Sequence, residues 1–264
     1  MFDETYETKQ RIAHLIERNK YHKLSKINVS GITDFSCLFQ NSSINSLEPL
    51  SNWDVSKGTN FSKMFDSCEY LESINELMYW NVSNGTNFSE MFRNNSKLKN
   101  LNGLRYWDMS KATRLDSMFK NCELLYNIDD LKNWNVSNCK DFSNMFYGCK
   151  LYNLDSLIFW DVSNAVILNS MFKNCYNLNS FDSLINWVPE KCKNIQEMFS
   201  GCFNLKDVKG ATYWDILKMN CYELMFYHCP NIKNFNSIKS IANSENLNYI
   251  TYKLTSKINL STCS

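Results

Sequence analysis

"NWDVSKGTNFSKMF", Asn52 to Phe65, is the stretch on which the fold turns, because the chain repeats it. It returns as "WNVSNGTNFSEMF" from Trp80, "WDMSKATRLDSMF" from Trp107, "WNVSNCKDFSNMF" from Trp134 and "WDVSNAVILNSMF" from Trp160. Aligned on the tryptophan, the copies start at Trp53, Trp80, Trp107, Trp134, Trp160, Trp187 and Trp214, with Ile27 in the equivalent place one unit earlier. Steps are 26 or 27 residues, and a Met-Phe or Leu-Phe pair stands 11 residues after each start, from Leu38-Phe39 to Met225-Phe226. Eight units in constant register make the motif a structural period, not a site used many times.

Each unit divides by hydrophobic spacing. Phe61, Met64 and Phe65 lie at i, i+3 and i+4, the pattern of one face of a short helix, with Ser56 placed to cap it. Beyond the Met-Phe pair come Cys68 and then an apolar residue every third position, Leu71, Ile74 and Leu77, which reads as a short strand followed by a bend. A unit this small cannot bury its own apolar face, so neighbours must stack into a solenoid with a continuous core. Parallel strands of adjacent coils would then lie about 4.8 Å apart.

"MFDSCEYLESI", "MFKNCYNLNSF" and "MFSGCFNLKDV" resemble the leucine-rich repeats of BspA-type proteins, and the W-D/N-V-S…F-S-x-M-F half is similar to the related repeat of mycoplasma lipoproteins and low-GC bacterial surface proteins. The resemblance implies an α/β, leucine-rich-repeat-like right-handed solenoid of about eight 26–27-residue units, each a short helix plus a short parallel strand. It also implies a surface-associated adhesion or interaction protein. The expected organisation is an N-terminal helical cap over 1–23, the eight-repeat solenoid over 24–236 and a C-terminal cap over 237–264. Ile12, Leu15 and Ile16 share one helical face suited to covering the first coil, as a solenoid end requires.

Composition narrows the function classes. The 264 residues carry a net charge of +1 without a long run of either sign, so the footprint of a nucleic-acid binder is missing. With 7 glycines and 3 prolines, the chain makes its many turns with 37 asparagines, which tolerate left-handed backbone. No signal peptide and no membrane span are recognisable, which points to the cytoplasm, or to the cell surface or medium where a leader has been removed. The protein is expected to be monomeric.

Six of the 11 cysteines, Cys68, Cys122, Cys149, Cys175, Cys202 and Cys229, fill one repeat position, with Asn95 and Ser42 as substitutes. That pattern reads as a buried polar ladder satisfying backbone groups, not as zinc ligands, which need to converge. Disulfides between rungs fit poorly with a ladder that Asn95 interrupts. "YHCP", Tyr227 to Pro230, places a histidine beside a ladder cysteine, and sequential neighbours seldom face each other. There is no Gly-rich phosphate loop, G-x-S-x-G or H-E-x-x-H. No cofactor, metal site or enzymatic activity is therefore expected.

Function should lie where the repeat leaves a position free. Just before the tryptophans stand Tyr79, Tyr106, Asn133, Phe159, Asn186 and Tyr213, a candidate exposed aromatic strip for a protein partner of unknown identity. Asp129, Asp130, Asp155 and Asp182 form an acidic middle in consecutive coils. Stacking should crowd Asp129, Asp155 and Asp182, whose like charges would repel unless a basic partner or a cation neutralises them.

Overall fold

The computed structural model describes residues 4–233 and Phe235. The expected cap over 237–264 lies outside the described residues. The chain opens with helix α1, Glu4–Glu17, and continues as eight stacked coils. Seven parallel bridges link one coil to the next at a single repeat position, from Asp34–Asn60 to Asn194–Cys221.

The inside of each coil is the motif itself. Phe61, Met64, Phe65, Leu71, Ile74 and Leu77 are fully buried, and their counterparts are buried in the inner coils, while Leu38 in the first coil and Tyr222, Ile232 and Phe235 in the last are half-buried. Phe39, Phe65, Phe92, Phe119, Phe146, Phe172, Phe199 and Phe226 form one stacked file with centroids 5.3–5.9 Å apart. Burying one such ring stabilises the fold by about 1.5–3 kcal/mol, and ring pairs add about 0.5–1.5 kcal/mol. The tryptophans form a second file and tie coils together. The indole N–H of Trp53, Trp80, Trp107, Trp134, Trp160 and Trp187 donates to a leucine carbonyl of the preceding coil at 2.9–3.1 Å.

The local elements differ from the expected short helix and short strand. Among the described residues the only α-helix is α1, and no strand is longer than an isolated bridge. The segment with helical spacing carries the bonds between coils. Phe61, Lys63, Phe65 and Ser67 donate their backbone N–H groups to Asn87, Ser89, Met91 and Arg93 of the next coil at 2.8–2.9 Å. The alternate N–H groups close tight turns, Met64 to Phe61 and Asp66 to Lys63. Lys63 and Ser67 make this possible with φ of 58° and 59°, in the left-handed region, and such a pair recurs in every coil. A left-handed residue breaks a helix while leaving the i, i+3, i+4 positions on one side, so the apolar spacing is helical and the backbone is not. Nor does Ser56 cap anything; its own N–H is held by the Asp54 carboxylate at 3.1 Å. The L-x-x-I-x-x-L half, expected to start as a strand, ends in a single 3-10 turn, Asn75–Leu77 and its equivalents.

These four bonds recur at each of the seven junctions with the same sense. The carbonyl of Asn60 and the N–H of Phe61 belong to one peptide group, so each bond continues into the next and four unbroken columns of peptides run the length of the stack. An ordinary strand alternates N–H and C=O along each edge. Here all four columns point N–H towards the last coil, and their dipoles add head to tail as in an α-helix. One column runs the other way, with Thr59 donating to Thr33 and its equivalents likewise.

The cysteine ladder lies behind the phenylalanine file. Cys68, Cys122, Cys149, Cys175, Cys202 and Cys229 each donate S–H to the carbonyl of the file phenylalanine in the preceding coil, at 3.0–3.2 Å. Asn95 makes the same bond to Phe65 at 2.8 Å. All six thiols are free, as are Cys37, Cys139 and Cys192.

Candidate interaction surfaces

A side chain next to an inward-facing tryptophan projects outward. Tyr79, Tyr106, Phe159 and Tyr213 are accordingly 64–84% exposed, the first two with rings stacked at 6.4 Å. The exposed Asn133 intervenes before Phe159, and Asn186 before Tyr213. The strip is thus one aromatic pair and two single rings on a common line, each at the end of a 3-10 turn that fixes its direction.

The acidic residues occupy the first position of those turns. Asp129, Asp155 and Asp182 are exposed, but the expected repulsion between neighbours is relieved by serines. Ser156 donates its hydroxyl to Asp129 at 2.7 Å, and Ser183 donates to Asp155. Asp182 faces Asp207 instead; partial burial, then the Asp207 charge, raise its carboxyl above the usual range. Asp130 turns inward, 5% exposed, and pairs with Arg105 Nε at 2.7 Å. Among the described residues no group of three His, Cys, Asp or Glu side chains is arranged to hold a metal ion.

Sequence reasoning missed a second set of exposed rings on the loops after the cysteine ladder: Tyr70, Tyr126, Tyr152, Tyr176 and Phe203. Tyr176 and Phe203 stack at 5.6 Å. The available signal was that the loop positions beside buried Leu125, Leu151, Leu178 and Leu205 hold rings no core could take.

A family model described as "Mycoplasma protein of unknown function, DUF285" matches the chain twice in succession, over residues 7–129 and 115–240. The chain belongs to that family. In this DUF285 protein each match covers about half of the stack. Among solved structures, a leucine-rich repeat protein from Bacteroides ovatus is similar at 16% identity and a TM-score of 0.36, over 56% of this chain. The DUF285 chain covers 34% of the length of that protein. No curated protein matches. Among the described residues no helix is long and apolar enough to cross a membrane.

Proposed function

We propose that this protein is a non-enzymatic repeat scaffold that binds a protein partner through the turn side of the coils, along Tyr79, Tyr106, Phe159 and Tyr213. The observation that carries the reading is that these rings are the most exposed aromatics of the repeat, 64–84% against 43–55% for the loop rings Tyr70 to Phe203, while the phenylalanine and tryptophan files are buried. Exposed tyrosines and phenylalanines on a rigid support are the residue types that dominate protein interfaces. Asp129 and Asp155, held in place by serine hydroxyls, give the strip an acidic flank that favours a basic partner surface.

The test is capture from the native cell with tagged protein, followed by affinity measurement on the partner found. Tyr79→Ala with Tyr106→Ala, and separately Phe159→Ala, should weaken the affinity by about tenfold or more, with circular dichroism unchanged. Asp155→Lys should weaken it less and reduce its salt dependence. Undiminished binding by all three variants would rule this surface out.

A further inference from the structure

The fifth coil is one residue short where the groove of this molecule opens. Six coils separate the ladder position from the next leucine or isoleucine by two residues, as in Cys122-Glu123-Leu124-Leu125 and Cys175-Tyr176-Asn177-Leu178, and close a tight turn there; only the first coil, Ser42-Ser43-Ile44, is otherwise as short as the fifth. The fifth has only Lys150 between Cys149 and Leu151, and the Lys150 N–H reaches back to Leu125 of the previous coil at 2.9 Å. The loop is pulled in, leaving two adjoining hollows of about 460 and 660 Å³ that share Asn177. Each is of a size that holds small ligands.

The walls combine amides, rings and lysines, and of the amides Asn231 already donates to the Phe203 carbonyl at 2.7 Å. The side chains of Asn177, Asn179 and Asn204 make no hydrogen bond to any described residue, whereas Asn94, Asn121 and Asn174 nearby are engaged in the polar ladder. An amide offers donors and an acceptor together, the pairing that vicinal hydroxyls require. Tyr152 and Tyr176 supply ring faces. Lys150, Lys206 and Lys233 stand against a single acid, Glu123.

We propose that this groove binds an acidic oligosaccharide laid along the stack across coils four to eight. Sugar C–H faces pack on Tyr152 and Tyr176, hydroxyls bridge the unengaged amides, and carboxylate or sulfate groups pair with Lys206 and Lys233. The groove lies on the loops after the cysteine ladder, separate from the Tyr79–Tyr213 strip, so each surface can be tested without the other.

Intrinsic fluorescence of the full chain is titrated with three hexasaccharides: an oligogalacturonate, a heparin-derived fragment and neutral maltohexaose. The first two distinguish carboxylate from sulfate as the recognised group. Saturable binding of at least one acidic probe is expected, with maltohexaose much weaker. Asn177→Ala with Asn204→Ala should weaken it about tenfold, and Lys206→Glu should abolish it. Lys57→Glu and Tyr79→Ala, away from the groove, should leave it unchanged. The groove substitutions are at the surface, and unchanged circular dichroism separates loss of binding from loss of fold. Absence of saturable binding, equal weakening by Lys57→Glu, maltohexaose binding as tightly as the acids, or displacement by hexaglutamate at lower concentration than by either acidic sugar would each overturn the proposal.

Discussion

A thiol at the ladder position does two things that serine would do less well: it fills space against the phenylalanine file and offers a weak donor to one carbonyl. Burial pushes the thiols of Cys122 and Cys175 up from an ordinary 9.0 to about 12, and that of Cys68 to about 11. Folding therefore favours the protonated form, while the unfolded chain ionises near 9.0. The native state then binds more protons than the unfolded one between about pH 9 and 12, so stability falls as pH rises through that window. Each fully buried thiol contributes up to about 1.4 kcal/mol of loss per pH unit. Urea midpoints should accordingly drop steeply above pH 9, and Cys122→Ser should flatten the drop while lowering the plateau below it. Alkylation at pH 8 followed by peptide mapping should label Cys37, which is exposed, well before the six ladder thiols.

The coil shows why spacing revealed the core and concealed the backbone. Phe61, Met64 and Phe65 were legible as one buried face, and are, because burial depends on which side a residue faces and not on how the chain gets there. The left-handed residues were half legible. The second of each pair is Asn41, Ser67, Asn94, Asn121, Gly148, Asn174, Gly201 or His228, a column in which all but Ser67 are types that favour that region. The first is Cys37, Lys63, Glu90, Ser117, Asn144, Ser170, Glu197 or Leu224, and only Asn144 gives a hint. Propensity is overridden there, from Cys37 to Glu197, by the inter-coil bond each N–H makes. The candidate surfaces were legible to the same degree: the strip from Tyr79 to Tyr213 follows from register, but serines under Asp129 and Asp155 could be seen only once coils were stacked. Relieving the left-handed strain should show in stability. Ser117→Gly, at φ 55°, should raise stability by about 0.5–1 kcal/mol, and Ser117→Val should lower it by more, both read as shifts in the urea midpoint. A neutral or destabilising glycine would mean that the side chain contributes something the left-handed backbone does not explain.

A stack joined by one-way peptide columns needs its two ends treated differently, since one ends in carbonyls and the other in N–H groups. At the first coil the carbonyl end meets α1, whose Lys9 reaches Asp34 at 3.5 Å and places a cation where the summed dipole favours one. The same helix buries Ile12 completely and Leu15 to 9% exposure, closing the apolar end of the core. It packs against the 3-10 segment Tyr21–Lys26 and reaches the first coil at Asp34, and in a repeat protein stability is a sum of neighbour interfaces. Weakening the cap should therefore not act on the whole stack equally. Ile12→Ala removes a buried side chain at a cost of about 2–4 kcal/mol, which should appear as fraying from one end. Hydrogen exchange read by mass spectrometry should show early loss of protection in the inter-coil amides of Phe35, Cys37, Phe39 and Asn41. Those of Phe142 and Asn144, four coils further on, should stay protected until global unfolding. Equal acceleration at both places would show that the eight coils melt as one unit, with the phenylalanine and tryptophan files coupling them more strongly than nearest-neighbour stacking implies.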